Sequence, residues 1–512
     1  MRIDLENLPT DPALLHHLVR DIASHLAQRN DEIVRLRLII QKLQRSQFGT
    51  RAEGLSPDQL GLGLEDLDAD LAAALARATP DTDAPETPLA RPPRRQPLPE
   101  HLVREERRVD IETAVCTCCG GALHPIGETV SELLDWVPAQ LRVLRIRRPK
   151  YGCRACERIH QAPAPPRAIA GGLATPALLA QVLVAKYCDH TPLYRQAQIF
   201  ARHGVHLERS TLAGWVGGAC WWLDALHAAL CTHVFASDHL FADDTPVPVL
   251  DPGRGRTKTG RLWVYARDDR RWGGPAPPAA VYLFAPDRKA LRPVTHLAHF
   301  KGVLQVDGYS GFEQLTRRGT ITLAACWAHT RRKFYEIHAA TDSPIAAEAL
   351  QRIAALYRVE AQLSGQAAEQ RRAGRQADTA PLIRDLKVWL DQQLMRLPER
   401  NPVADAIRYA LGRWPALTRF LDDGRIELDT NPVERAIRPV ALGRKNHLFA
   451  GSDGGGARWA TVCSLIETCK LNGVEPYAYL TDVLERMVEG YPANRIAELL
   501  PWAWKPYATA AE

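Results

Sequence analysis

The sequence predicts a multidomain α/β protein, and three observations carry that reading. Its 512 residues exceed what one core organises. From residue 239 onward, strand-period segments alternate with helical ones. Ahead of them stand an apolar heptad, a proline-rich stretch and two C-x-x-C pairs. Sixty-five Lys and Arg against 59 Asp and Glu leave a formal charge of only +6, so contact with a polyanion must come from where charge is placed. Eleven cysteines, four of them in the C-x-x-C pairs, exclude a small disulfide scaffold and point to a reducing compartment and a metal site. The start, MRIDLENLPTD, has no apolar signal core, and no stretch reaches ~18 apolar residues. The expectation is a soluble, cytoplasmic chain with no membrane partner.

Residues 1–50 carry the heptad. Val19, Leu26, Ile33 and Ile40 share one seam position and Leu15, Ile22, Leu36 and Leu43 the other, with Arg29 the one break. This predicts a coiled coil and hence a homo-oligomer, the alternative being an amphipathic helix packed on its own chain. Residues 51–100 form a linker, since 80–99 hold seven prolines and too little apolar material for a core.

Residues 101–168 hold Cys116-x-x-Cys119, a gap, then Cys153-x-x-Cys156. Four thiolates from two tight knuckles suit one tetrahedral structural Zn²⁺, and alternating residues in 130–149 suit an inserted hairpin. Seven Lys and Arg crowd 142–158, among them Arg145, Arg147, Arg148 and Lys150. On a ribbon they would contact DNA phosphates, or else form a solvated face. Residues 169–232 read as helices: one over 192–202, a turn at His203-Gly204-Val205, and a second over 210–216 capped by Ser210. That is a helix-turn-helix outline, though helical hairpins are also ordinary core units.

Residues 233–450 change period. Strands are expected at 239–250, 260–268 and 279–287, then a helix over 291–300, a strand ending at Asp307-Gly308, a helix and a fifth strand over 321–329. This order is that of a ribonuclease-H-like α/β core, in which the strands bearing Asp243 and Asp307 are neighbours. Two such carboxylates, with Glu434 as a third, are hard oxygen ligands for Mg²⁺, with Mn²⁺ as a substitute, in a two-metal site. Each acid also has a plainer reading: a bend at Asp243-Asp244, a strand-ending turn at Asp307-Gly308, and a capping box in Asn431-Pro432-Val433-Glu434, with Arg438 able to pair with Glu434.

Residues 330–425 read as a helical insertion whose polar tract, 368–378, suits a solvated loop. Arg331, Arg332, Lys333, Arg435, Arg438, Arg444 and Lys445 recur beside the acids and would hold a DNA backbone against the metals, or else form surface pairs. Cys326-x-x-His329 offers half a zinc site, and a buried thiol is the plainer account. Residues 451–512 form a C-terminal helical tail.

Together these residues resemble the transposases of the bacterial insertion sequence 66 family. QFGTR near residue 48, CTCCGGAL, YGCRAC, TPLYRQAQIFARHGV, STLAGWV, ADDTPVPVL, LQVDGYSGF, CWAHTRRKF, DTNPVERAIRPVALGRKNHLFAGS and LLPWAWKP carry the likeness in order. The resemblance implies a DDE transposase that cuts the ends of its element in Mg²⁺ and joins the 3′-hydroxyls to target double-stranded DNA. Its acids fall on Asp243, Asp307 and Glu434, and helper proteins encoded by the same element are implied. Asp244 replaces a usual Glu, Thr430 a usual Asn and His447 a usual Trp. On residues alone two other readings stay open, a zinc-ribbon DNA-binding regulator without catalysis and a metal-dependent nuclease that does not integrate.

Overall fold

Alternating apolar and β-branched residues between 239 and 285, broken at Gly/Pro-rich turns, make a meander, and the structure forms it. The computed structural model describes residues 164–506 except 252, 254 and 318, together with 141, 146, 150–152 and 159–161. The expectations for 1–50, 51–100, the hairpin at 130–149, Cys116, Cys119, Cys153, Cys156, Arg145, Arg147 and Arg148 lie outside these residues. So does the side chain of Lys150. Two units separate between Pro165 and Pro166. In the first, Lys150–Gly152 (β1) pairs antiparallel with Ile159–Gln161 (β2), Tyr151 opposite His160. These strands flank Cys153 and Cys156 in the sequence.

The second unit is mixed α/β, built on five strands: His239–Leu250 (β3), Thr257–Arg267 (β4), Ala279–Ala285 (β5), Gly302–Val306 (β6) and Ile321–Ala325 (β7). Their order in the sheet is β5-β4-β3-β6-β7. β3, β4 and β5 run antiparallel to one another, while β6 lies parallel to β3 and β7 parallel to β6. The strands expected at 239–250 and 279–287 match closely. The fifth is shorter than the expected 321–329, because Trp327 opens a helix, Trp327–Thr341 (α6). The helix expected over 291–300 closes at His296 (α4, Leu291–His296), and a short helix, Glu313–Thr316 (α5), stands between β6 and β7.

Helices cover the sheet. Pro176–Tyr187 (α1) is capped by Thr175, whose hydroxyl accepts from Leu178 N–H at 3.3 Å, and Leu193–Arg202 (α2) follows. Gly204 at φ +77° makes the turn that the sequence suggested. The next helix is not the short 210–216 segment: Arg209–Phe235 (α3) has Glu208 at its N-cap, and Ser210 lies inside its first turn. Leu212, Val216, Leu223, Leu226, Leu230 and Val234 repeat at helical spacing and are all buried, so this helix is a core element along most of its length.

α3 packs on β5 and β4, and shares one hydrophobic core with the sheet and with Asp453–Leu471 (α13) and Pro476–Val488 (α14). The described residues of 169–232, 233–450 and 451–506 therefore belong to one compact unit. The exposed edge of β5 is closed by α13: Ala280 N–H donates to Thr468 at 3.2 Å and Tyr282 N–H to Ser464 at 2.9 Å. Two hydroxyls four residues apart thus occupy the donors that an open strand would offer to another chain.

The segment from Trp327 to Leu428 folds as helices around a second hydrophobic core that includes Phe334, Ile353, Leu386, Ile407 and Phe420. After α6 come Pro344–Leu363 (α7), Ala368–Gly374 (α8), a π turn at Arg375–Thr379, Ala380–Arg396 (α9), Pro402–Gly412 (α10) and Trp414–Thr418 (α11). The tract 368–378 is helical here and carries no solvated loop. Arg371 and Arg375, four residues apart, are fully buried. Arg375 Nε donates to Glu360 at 2.9 Å, Arg371 donates to Glu427 at 2.8 Å, and Arg371 also reaches Glu360. Spacing turned a polar run into an internal ion network, because i and i+4 share one helix face. Among the described residues no helix is long and apolar enough to cross a membrane.

Candidate active site

Asp243 and Asp307 owe their nearness to the β3–β6 pairing. Ala242 stands opposite Val306 in parallel register, so the next residue along each strand is one of the two acids. Each is tied to local backbone: Asp244 N–H donates to Asp243 Oδ1 at 2.7 Å and Tyr309 N–H to Asp307 Oδ1 at 2.9 Å. The turn reading of Asp307 is therefore correct as geometry, and the turn engages one oxygen, Oδ1. Burial and the charge of Asp307 push the Asp243 carboxyl well above its ordinary 3.8, against the pull of the Asp244 N–H and His329. A facing pair of carboxylates of this kind can hold a hard cation between them.

Glu434 arrives from the far end of the helical insertion. Gln305, fully buried on β6, clamps the returning chain: it donates to the Glu427 carbonyl at 2.9 Å and accepts from Glu427 N–H at 2.7 Å. Trp327 N–H then donates to the Leu428 carbonyl at 3.0 Å. The chain so aligned enters Asn431–His447 (α12), which packs on β3 and β4. Tyr282 fastens that helix through a hydroxyl that donates to the Ala436 carbonyl at 2.5 Å.

The helix begins one residue earlier than a capping box needs. Thr430 occupies the N-cap, and Asn431 turns its amide to Asp429 at 2.8 Å. Glu434 accepts from the Thr430 hydroxyl at 2.8 Å, and no N-cap backbone bond holds it. Its other neighbour is His329 in the first turn of α6, with Nδ1 3.7 Å from Glu434 Oε1. Thr430→Val removes a hydroxyl that donates to this carboxylate. Loss of a buried partner costs about 1–3 kcal/mol, and we expect Thr430→Val to lose stability on that scale while Thr430→Ser stays near the parent, as read by thermal unfolding of the two variants side by side.

His329 sits between the acids. Burial opposes its protonation, but the Cys326 sulfur and the Glu434 and Asp243 carboxylates outweigh burial and hold the imidazole well above its ordinary 6.5. Cys326 is buried and accepts from Thr430 N–H at 3.4 Å. Among the described residues, Cys326, His329 and Glu434 bring three ligand atoms within 4.8 Å of one another.

A cleft of about 540 Å³ opens beside Asp307 and His329, with Arg288, Arg332, Lys333 and Tyr409 in its walls. Of the basic residues named from sequence, Arg332 and Lys333 line it, and Arg331 lies beside them on α6 against the Tyr335 ring. Arg444 is turned to the Pro246 carbonyl at 2.9 Å. Arg435 lies among Arg271, Asp268 and Asp429, where burial and Arg271 lower its pKa. Lys445 is exposed and Arg438 half-buried on the same helix. Arg288 had no signal in the sequence. It lies in the β5–α4 turn, donates to Asp244 at 2.9 Å and covers the Tyr309 ring at 4.1 Å. Asp244 is thus spoken for by Arg288 and Arg261.

A raised pKa for Asp243 has a consequence in pH. Its stabilising contribution is present below its ordinary 3.8 and is lost as pH rises through the raised value, since the folded chain must then hold two facing charges. A divalent cation would relieve that repulsion. Added Mg²⁺ should therefore raise the melting temperature more at pH 8 than at pH 5, and equal shifts at both pH values would contradict this account.

Comparison with known proteins gives the same frame. The family described as "Transposase IS66 family" matches residues 171–458, and the "IS66 C-terminal element" matches 464–502. The "zinc-finger binding domain of transposase IS66" matches 113–157, a range that includes all four knuckle cysteines, and "Transposase C of IS166 homeodomain" matches 35–107. Relatives include three proteins of Sinorhizobium fredii, each described as uncharacterized. The protein y4jD is 44% identical over 99% of this chain and 98% of its own. For y4qI the identity is 42%, over 94% and 90%, and for y4hP 42%, over 93% and 90%. The long match covers both the strands that carry Asp243 and Asp307 and the helix that carries Glu434, and the chain belongs to the IS66 family of transposases.

Proposed function

We propose that this transposase binds the ends of an insertion sequence, cuts them and transfers the freed 3′-hydroxyls to target double-stranded DNA, with Asp243, Asp307 and Glu434 as its catalytic acids. The observation that carries this is that Asp243 and Asp307 follow paired residues of adjacent parallel strands, while His329 lies 3.7 Å from Glu434, which the helical insertion returns to the sheet, and feels the charge of Asp243 as well. The sheet order β5-β4-β3-β6-β7, with three antiparallel strands followed by two parallel ones, supports reading the core as ribonuclease-H-like.

The donor set suits Mg²⁺ or Mn²⁺, hard cations that take oxygen ligands. Such a pair of ions, when bound, activates the attacking oxygen and stabilises the leaving one. Asp243 and Asp307 would hold the ions at the strand ends, and Glu434, aimed by Thr430, would complete one of them. Arg332 and Lys333, with Arg331, Arg435, Arg438, Arg444 and Lys445 further out, would hold phosphates in line for attack. In the first step a water oxygen forms a bond to phosphorus and the 3′-oxygen of the element end leaves, taking a proton. In the second step that 3′-hydroxyl attacks a target phosphodiester and expels the target's 3′-oxygen.

The four knuckle cysteines, Cys116, Cys119, Cys153 and Cys156, would hold a structural Zn²⁺. With Arg145, Arg147, Arg148, Lys150 and the α2–α3 pair they would bind the element ends, and the N-terminal heptads would make a homo-oligomer. Helper proteins from the same element would act with it, and its place of work would be the cytoplasm, on the nucleoid. The test is incubation of the full chain, with Mg²⁺, labelled element ends and a target plasmid. Joined products support the reading. Cut but unjoined ends would make it a nuclease, and binding without cutting would make it a regulator.

A further inference from the structure

We propose that Cys326, His329 and Glu434 form a binding site for Zn²⁺, separate from the Asp243–Asp307 pair but sharing Glu434 with the proposed catalytic set. Cys326 closes β7 as the N-cap of α6, and His329 follows within the first turn of that helix. Three residues of helical spacing put sulfur and imidazole on one face. Glu434 comes from the first turn of α12, on a chain aligned to the same place by Trp327 N–H and Thr430 N–H.

The distances suit a small cation. All three donor atoms lie within 4.8 Å of one another, and the His329 Nδ1 to Glu434 Oε1 separation is 3.7 Å. That is too long for a hydrogen bond. It is close to the edge of a tetrahedron with bonds of about 2.0–2.1 Å to N and O and about 2.3 Å to S, roughly 3.3–3.6 Å. Nδ1 is also enclosed and meets no hydrogen-bond partner from the chain, which an imidazole in a closed place ordinarily does.

The donor chemistry separates this place from the acids beside it. Thiolate and imidazole select Zn²⁺, whereas Mg²⁺ takes oxygen alone. Binding would release to solvent the Cys326 thiol proton as the Zn–S bond forms and the imidazolium proton of His329 as the Zn–N bond forms. Three protein ligands leave a fourth position for water or a DNA phosphate oxygen. Zinc held there engages the carboxylate that strand cutting would use, so it inhibits in competition with Mg²⁺. The inhibition rests on the proposed role of Glu434; the binding does not.

The test counts metal on the full chain. The protein is dialysed against buffered Zn²⁺ and bound zinc is measured for the parent, Cys326→Ser and His329→Asn, with any ribbon zinc common to all three. We expect the parent to hold one more zinc per chain than either variant. Equal counts in all three overturn the site, and agreement between the two variants guards against a folding defect in one. DNA cutting is then titrated with Zn²⁺ at fixed Mg²⁺, each protein normalised to its own zinc-free rate. Loss of an outer partner of a metal ligand already weakens binding by about 10–100-fold, so the half-inhibitory zinc concentration should rise at least about tenfold in Cys326→Ser. An unchanged value overturns the sharing of Glu434. If Glu434→Gln still cuts DNA while the zinc count drops in the variants, the catalytic reading fails and the zinc site stands.

Discussion

Glu434→Gln should cut element ends at least about a thousandfold more slowly than the parent, the scale on which loss of a group acting directly in catalysis is felt. The change is nearly isosteric. Glutamine keeps an oxygen to accept from the Thr430 hydroxyl and fits the same buried space beside His329, so stability should move by no more than about 1 kcal/mol. What disappears is one negative charge, and with it the proposed ligand for a divalent cation. Binding of the element ends should persist, because the proposed end contacts lie on the basic residues and the ribbon. Labelled-end cleavage in Mg²⁺, with a mobility-shift assay alongside, separates the two properties. Cutting at the parent rate would remove Glu434 from the catalytic set.

The second large effect is on folding. Glu360→Gln should destabilise the helical insertion by about 3–5 kcal/mol, the cost of leaving a buried charge without its partner. Arg375 gives Glu360 two bonds, at 2.9 and 2.6 Å, and Arg371 gives it another. Neither guanidinium has any solvent exposure. Arg371 would retain Glu427, while Arg375 would keep only carbonyls of Phe420 and Asp423. Burial raises the Glu360 carboxyl, but Arg375 and Arg371 more than offset this and hold it below its ordinary 4.5. The network therefore stabilises above that value and weakens as pH falls through the lowered pKa. Thermal and urea unfolding would measure the loss, and an unchanged melting temperature would show the network to be slack. Because Glu427 also anchors the returning chain through Gln305, a loosened insertion should carry Glu434 out of place and lower cutting as well.

The strands were legible because they obey a local rule. Period-two alternation and Gly/Pro turns marked 239–250 and 279–287 closely, and the neighbouring of Asp243 and Asp307 followed from strand order alone. Where a segment's fate depended on distant packing, local pattern fell short. The helix read as 210–216 runs to Phe235, since buried positions every three to four residues continue well beyond the turn that suggested a recognition helix. The polar tract 368–378 looked solvated because its partners, Glu360 and Glu427, stand 11 and 56 residues away in the sequence from Arg371.

Glu434 shows the division most clearly. By itself the sequence determined that a carboxylate follows Asn-Pro at a helix start, that two more acids end neighbouring strands, and that the family is that of the IS66 transposases. A one-residue shift in helix register takes Glu434 out of the capping-box position, and Thr430, Asp429 and the Gln305 clamp accompany that shift. Arg288, Tyr409 and the meeting of Cys326 and His329 with Glu434 were likewise decided by tertiary structure. Side chains more than a turn apart in sequence converge only when a sheet and its insertion fold back on each other, and no local periodicity encodes that closure.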